Sequence, residues 1–341
     1  MLDPRTWTPA TFPADMPPLL SVVIDTEEEF DWSKPMDRKA TGVTSMRFQE
    51  RAQAIFADYG VVPTYVVDYA VASQPDGYTP LREFLADGAC VIGTHLHPWV
   101  NPPDDEDVVN RNTYPGNLPA DLEAEKLRVL TRTITEVFGQ RPTVYRAGRY
   151  GVGAASAATL VDQGYDVDTS VVSATDFRPD EGPDFLHCPI RPYWCGPGGQ
   201  LFEQPVSVGF AGLLGQAGKD VYWKAMGATG RKFRLPGILS RAGVVERLRL
   251  SPEGFTADEH QRLTKALMKA GARTFTFNYH SPSLGVGFTP YVQSQADLDT
   301  FLDRFRRYFD WFFGDLGGRP ATLGEVRARA TNAPASVAPA A

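Results

Sequence analysis

The chain has 341 residues, of which 43% are hydrophobic and 22% are charged, as is typical of a globular protein with a sizeable core. Its formal net charge of −7, without any basic stripe, argues against nucleic acid as the main partner. No apolar stretch is long enough to span a bilayer, and the Pro-rich N-terminus does not look like a secretory signal, so we expect a cytoplasmic protein. The three cysteines have no spacing typical of a metal site or a disulfide framework.

The predicted elements lie between two irregular ends. Residues 1–18 predict an extended arm, residues 19–329 a single (β/α) barrel, and residues 330–341 a disordered tail. The alternation of helices and strands breaks over about residues 175–256, which are rich in Pro and Gly. We interpret that stretch as an insertion into the barrel, with a β-hairpin and a helical excursion around residues 215–250, because it has no core segments of its own.

Within the barrel, one pattern occurs five times: a helical segment ends at Gly, and a β-rich run follows that finishes on a polar residue. These glycines stand at positions 60, 88, 139, 164 and 271, and the strand LLSVVID precedes the series. In a parallel α/β sheet or barrel, all these strand ends lie on one face, where active sites are built. The polar residues at the strand ends include Asp25, His95, His97, Arg146, Asp168 and His280.

Two segments have apolar residues at helical spacing and predict helices that pack one face on the sheet. The first covers residues 122–138. The second, which is more strongly periodic, contains Leu298, Phe301, Leu302, Phe305, Phe309 and Phe312.

Two strand ends could provide metal ligands. Asp25 and Glu27 point to the same side of an extended backbone, so one carboxylate could bind a metal while the other takes a proton from water. Five acids in seven residues are also typical of a solvated loop. His95 and His97 likewise share one side of a strand and would suit a divalent transition metal. The alternative is one hydrogen-bonded core histidine and one surface histidine.

Three further strand ends could act on a substrate. Arg146 could hold a carboxylate in position or bind substrate. His280 could be a general acid, because the pKa of histidine lies near working pH, or a buried histidine bonded to a backbone carbonyl. Asp168 also ends a strand and could act at the site, or it could be a residue of a turn or a helix cap.

Taken in order, these strand ends resemble the polysaccharide deacetylase family, the NodB homology domain of carbohydrate esterase type. The segments that carry the resemblance are IDTEEEFDW, GTHLHPWVNPP, YRAGRYG, YDVDTSV and YHSPSLGVGFTPYV, over roughly residues 19–315, and they are similar to the branch often labelled WalW. The resemblance implies a distorted (β/α) barrel and a divalent metal, zinc first and other transition metals as alternatives. It implies that the metal is held by Glu27, His95 and His97. Many members have adjacent acids and a wider histidine spacing, whereas here single residues separate each pair.

The resemblance also implies roles in proton transfer. Asp25 would be the catalytic base, and Arg146 would orient it. His280 would be the general acid that protonates the leaving amine, and Asp168 would support that histidine.

The hypothesis from the sequence is a metal-dependent hydrolase that removes an N-acetyl group from an amino sugar in a polysaccharide or glycan precursor. Trp32, Trp99 and Trp194 would suit stacking on a sugar. Two alternatives stay open: hydrolysis of another C–N bond, in a cyclic amide or ureide, and a catalytically silent barrel that binds glycan. The sequence does not predict the oligomeric state.

Overall fold

The computed structural model describes residues 1–227, 229 and 232–331. Its strands are β1 (Thr8–Pro9), β2 (Leu19–Thr26), β3 (Thr64–Val67), β4 (Val91–Leu96), β5 (Val144–Ala147), β6 (Val167–Asp168), β7 (Tyr193–Cys195), β8 (Leu201–Glu203), β9 (Val208–Ala211), β10 (Glu246–Arg249), β11 (Thr274–His280) and β12 (Arg319–Pro320). Its α-helices are α1 (Glu50–Asp58), α2 (Tyr69–Ser73), α3 (Pro75–Ala86), α4 (Ala120–Phe138), α5 (Ser156–Asp162), α6 (Lys219–Ala225), α7 (Leu235–Arg241), α8 (Ala257–Lys269), α9 (Gln295–Phe309) and α10 (Leu323–Ala328). A π-helical segment, Asp310–Asp315, continues α9. Short 3₁₀ helices cover Pro4–Thr6, Thr44–Phe48, Pro98–Val100, Asn110–Thr113, Pro115–Asn117, Gly148–Tyr150, Arg178–Asp180, Pro197–Gly199, Gly215–Gly218 and Ser281–Leu284.

The main sheet is curled and mostly parallel. Its strand order is β1-β7-β8-β6-β5-β4-β3-β2-β11, with β12 paired to β2. The pairs from β11 through β2, β3, β4, β5 and β6 to β8 are parallel, whereas β7 and β1 add antiparallel strands at the edge. Because β2 to β6 run parallel to one another, their carboxyl ends share one rim. The distorted (β/α) barrel expected from the sequence is confirmed.

The distortion lies where the barrel closes between β11 and the chain that follows β8. The Val206 N–H donates to the Val171 carbonyl over 2.8 Å. Ser207 and Thr276 then exchange two bonds of 2.9 Å, each from a backbone N–H to the other side-chain hydroxyl. These side-chain bonds close the gap where the described strands form no continuous ladder.

Residues 175–256, predicted as an insertion, supply β7 and β8 to the main sheet and also contain an antiparallel ribbon and the helices α6 and α7. Strands β9 and β10 form an antiparallel ribbon in which Val208 faces Arg249 and Ala211 faces Glu246. Helices α6 and α7 lie between the two strands in sequence. At the chain ends, β1 extends the sheet by pairing with β7, and residues 332–341 of the predicted tail lie outside the described residues.

The two helices predicted from apolar spacing are confirmed as α4 and α9. Helix α4 ends at Gly139, whose φ of 73° is a conformation that favours glycine and whose N–H donates to the Thr135 carbonyl over 2.9 Å. Helix α9 packs aromatic residues on β11, where the Phe277 ring lies 5.3 Å from that of Phe305 and 5.7 Å from that of Phe309. Among the described residues, no helix combines the length and the apolar character that crossing a membrane requires.

Replacing Phe277 with alanine should leave a cavity between β11 and α9, since this side chain is fully buried among aromatic rings. We expect the free energy of unfolding in urea to fall by about 3–5 kcal/mol. The matched control is Phe233→Ala, at a side chain that is 62% exposed, and it should change the value by less than about 0.5 kcal/mol. Similar losses for the two variants would contradict this packing.

Candidate active site

Four of the predicted strand-end residues line one cavity on the carboxyl rim of the barrel: Asp25, His95, His97 and His280. The sheet register places His280 of β11 beside Asp25 of β2, and His95 of β4 beside Arg146 of β5. The cavity has a volume of about 340 Å³, and its polar floor contains Asp25, Glu27, His95, His97 and His280. Its wall is largely aromatic and includes Phe30, Trp32, Trp99, Tyr114, Tyr150, Phe177 and Tyr291.

Three buried side chains form a group that could hold a metal. The Glu27 Oε2 atom lies 3.7 Å from His95 Nε2 and 3.5 Å from His97 Nε2. The Nδ1–H of His95 donates to the Arg146 carbonyl over 3.0 Å, and that of His97 donates to Glu28 over 2.7 Å. Both Nε2 lone pairs therefore face the Glu27 carboxylate. Burial lowers the pKa of His95 to about 3 and that of His97 to about 4, so both imidazoles are neutral at pH 7.

The Glu27 carboxylate fits a cation better than it fits its present surroundings. Its Oε1 atom is buried and, among the described residues, has no hydrogen-bond partner. Burial, together with the charges of Glu28 and Asp25, raises the pKa of Glu27 well above its usual range. A divalent cation would neutralise this group and use the histidine lone pairs. Two imidazole nitrogens and a carboxylate suit zinc and several other transition metals, so the donor set does not select one.

Two further buried acids, Glu28 and Asp68, lie behind His97. Glu28 accepts from both His97 Nδ1 and Trp99 Nε1 over 2.7 Å, and the His97 and Trp99 rings stack with centroids 4.2 Å apart. The Glu28 N–H donates to Asp68, which also caps α2. Such partners fix the orientation of a ligand histidine. The sequence analysis assigned neither acid a role, although Asp68 follows strand β3 and so shares the position of the predicted residues.

Arg146 keeps Asp25 ionised. This fully buried guanidinium donates from Nη1 to Asp25 Oδ1 over 2.6 Å, and it is itself held by two bonds to Thr169. Burial alone would raise the pKa of Asp25, but the positive charges of Arg146 and His280 hold it well below its usual range. The second oxygen, Oδ2, is left 3.7 Å from His280 Nε2.

The partner of His280 corrects one expectation from the sequence. His280 Nδ1 bonds Glu253 over 2.8 Å, and Asp168 does not take that position. Asp168 instead accepts two bonds from Ser170 and lies opposite Glu203, because β6 pairs with β8 and not with β11. Burial would lower the pKa of His280, but the Glu253 carboxylate raises it above its usual value. The sequence analysis missed Glu253, which lies in the irregular chain of the insertion.

Tyr150 and Arg249 are two further residues at the cavity that the sequence analysis missed. Tyr150 has a φ of 59°, unusual for a residue with a side chain, and its hydroxyl lies 3.4 Å from Asp25 Oδ2. Arg249, at the end of β10, donates to that hydroxyl and lines the cavity. Of the three tryptophans predicted to stack on a sugar, Trp32 and Trp99 line the cavity. The prediction is wrong for Trp194, which packs on Phe202 in the sheet.

Comparisons with known proteins bear on the fold. No protein-family model matches the sequence, and neither does any curated protein. Among solved structures, a protein of Mycobacterium smegmatis assigned as a polysaccharide deacetylase has a TM-score of 0.54 and 16% identity, over 100% of both chains. This chain has the fold of the polysaccharide deacetylases. A protein of Parabacteroides distasonis assigned as a glycoside hydrolase or deacetylase has a TM-score of 0.54 and 12% identity, over 91% of this chain and 70% of that one. The PuuE allantoinase has a TM-score of 0.50 and 14% identity, over 91% and 89%. The fold implied by the sequence resemblance is therefore confirmed, and its WalW branch stays a prediction.

The site predicts that the purified protein binds about one equivalent of a divalent transition metal, measured by elemental analysis. His95→Ala should abolish most of this binding, because it removes one of two facing imidazoles. A chelator should lower the melting temperature of the original protein more than that of the variant, since only the former loses a cation beside Glu27. The control is His187→Ala, at an exposed histidine, which should keep the metal. Equal metal content in both variants would contradict the proposed ligands.

Proposed function

We propose that the protein is a metal-dependent hydrolase that removes an N-acetyl group from an amino sugar in a polysaccharide or glycan precursor. One observation carries this proposal: a buried group of two histidines and a carboxylate shares a cavity with a separate Asp–Arg pair and a separate His–Glu pair. Such a set supplies the metal ligands, the base and the acid that amide hydrolysis needs. The fold shared with an assigned polysaccharide deacetylase supports it.

Glu27, His95 and His97 would hold the metal, as the sequence resemblance implied. A divalent metal held there would polarise the amide carbonyl and make a water molecule more acidic. Asp25 would take the proton from that water at Oδ2, because Oδ1 is occupied by Arg146. The low pKa of Asp25 keeps this oxygen unprotonated at neutral pH, so it can accept a proton.

His280 would protonate the leaving amine from Nε2. Its Nδ1 is bonded to Glu253, which fixes the ring and leaves Nε2 directed towards Asp25 and the cavity. The raised pKa keeps the imidazolium populated nearer neutral pH. In one reaction, Asp25 would therefore remove a proton from water, and His280 would donate a proton to the leaving nitrogen.

The aromatic wall favours a sugar as the substrate. Trp32 and Tyr291 meet edge to face at the mouth, with centroids 5.8 Å apart, and both side chains are more than a third exposed. Exposed aromatic rings of this kind offer apolar faces to sugar rings. A cytoplasmic location, expected from the sequence, would favour a glycan precursor over a finished polymer.

Hydrolysis of a cyclic amide or ureide is the second candidate. It is favoured by the likeness in fold to the PuuE allantoinase, whose barrel matches over 91% of this chain. Assaying allantoin and small amides beside N-acetylglucosamine oligomers would separate the two functions. Acetate release from the sugars alone would support deacetylation, and turnover of the ureide alone would support the second candidate.

Asp25→Asn should lower kcat for deacetylation by about 10²–10⁴-fold, since the amide cannot take the proton. Metal content should stay near that of the original protein, because Asp25 is not one of the three proposed ligands. The control is Asp58→Asn, at an exposed position at the end of α1. Activity of Asp25→Asn within a few-fold of the original would argue against Asp25 as the base.

Glu253→Gln should shift the pH profile of kcat/KM. The Glu253 carboxylate raises the pKa of His280, so its removal lets His280 lose its proton at lower pH. Because the protonated form is the proposed acid, the alkaline limb should move to lower pH while the acidic limb stays in place. Glu136→Gln, at an exposed position on α4, should leave both limbs unchanged. An unmoved alkaline limb in Glu253→Gln would remove His280 from the role of acid.

A further inference from the structure

The insertion differs in charge from the rest of the chain. Residues 213–244 contain six Lys or Arg and a single Asp, whereas the whole chain has 34 basic and 41 acidic residues. An acidic protein therefore has one strongly basic segment. This segment includes α6 and α7 at the end of the β9–β10 ribbon.

The same segment exposes most of the large apolar side chains found at the surface. Of the ten that are exposed in the described part of the chain, six lie between residues 213 and 238. Leu213 is 86% exposed, Phe233 62% and Ile238 54%. Such a concentration differs from the single, scattered apolar residues of an ordinary surface.

These exposed residues are not needed to hold the insertion in place. A separate small core does so, in which Phe210 of β9 and Val245, just before β10, pack with Ala174 of the chain after β6, and Trp223 and Leu239 cover them. Helix α7 therefore has one apolar side directed inward, and still presents Ile238 outward. Leu213, Phe233 and Ile238 belong to none of the hydrophobic core clusters formed by the described residues.

The basic side chains around them are not neutralised. Lys232, Arg234 and Arg241 are exposed, and no acidic oxygen of the described residues lies within 4.0 Å of their side-chain nitrogens. Arg262 on the neighbouring helix α8, by contrast, pairs with Glu246 at 2.8 Å. The positive charges of these three side chains are thus available to a partner.

Leu213, Phe233 and Ile238, with Lys232, Arg234 and Arg241, form what we call the basic apolar surface. We propose that this surface docks on an anionic lipid bilayer. Apolar side chains that enter the interface, together with Lys and Arg that bind anionic headgroups, are the features by which a protein lies on a membrane. A second copy of the chain fits less well. A two-fold contact would set the same basic patches against each other.

The docking surface is connected to the cavity in two ways. The ribbon runs from Ala211 and Glu246, beside the surface, to Arg249, which lines the cavity. Helix α6 also binds the loop that carries Phe177 of the cavity wall, through a 3.1 Å bond from Lys219 Nζ to the Leu186 carbonyl. Docking goes beyond the proposed hydrolase activity and does not depend on it.

Co-sedimentation of the full chain with vesicles tests the proposal. The protein should bind vesicles of phosphatidylcholine mixed with phosphatidylglycerol, should bind phosphatidylcholine alone much more weakly, and should be released by salt. Replacing Lys232 and Arg234 together with alanine should weaken binding about 30-fold, and Phe233→Ser should weaken it about tenfold. Absence of binding to the anionic vesicles would overturn the proposal.

Two matched controls separate this surface from general charge and stickiness. Replacing the exposed pair Arg306 and Arg307 on α9 with alanine, or exposed Val109 with serine, should leave vesicle binding unchanged. Equal losses in the control variants and the docking variants would overturn the proposal. So would a dimer in light scattering that Phe233→Ser dissociates, in a protein that does not bind vesicles. Hydrolysis of a water-soluble acetylated sugar should persist in every docking variant, so loss of docking is distinguishable from failure of the proposed activity.

Discussion

The burial of three carboxylates at the end of β2 is the constraint on which the rest of the cavity depends. Asp25, Glu27 and Glu28 are each at most 2% exposed, and ionised groups removed from water are costly unless they are paired. Asp25 is neutralised by Arg146, and Glu28 accepts bonds from His97 and a tryptophan. Of these three carboxylates, only Glu27 keeps a buried oxygen without a hydrogen-bond partner among the described residues, and this asymmetry supports its proposed role as the oxygen ligand for a cation.

The barrel brings together charges that lie far apart in the chain. Arg146 belongs to β5, and β4 and β3 separate it from β2, so its long side chain must cross the barrel interior to reach Asp25. Its place is fixed by Thr169 beyond β6. Gly148 makes the same rim compact, because a Cβ atom there would lie 2.5 Å from the His97 ring. Close packing and charge neutralisation therefore support each other at this rim.

The β9–β10 ribbon has the cavity at one end and the proposed docking surface at the other. Near the barrel, Arg249 and, just beyond it, Glu253 complete the cavity: Arg249 donates to Tyr150 and Glu253 holds His280. At the other end, the ribbon carries the basic apolar surface that includes Phe233 and Ile238. A bilayer bound there would be linked through four paired residues on each strand to the wall of the cavity. The proposed chemistry and the proposed docking thus share one short structural element.

The sequence by itself determined the βα alternation, helices α4 and α9, and the strand ends that supply Asp25, Glu27, His95, His97, Arg146 and His280. It could do so because glycine at helix ends, apolar periodicity and alternation along a strand are local properties. Only the tertiary structure decided that Glu253, rather than Asp168, bonds His280, and that Trp194 lies in the sheet away from the cavity. The physical reason is that these contacts depend on strand order and on the path of an irregular insertion. Both are set by the packing of distant segments, and no local pattern in the sequence encodes them.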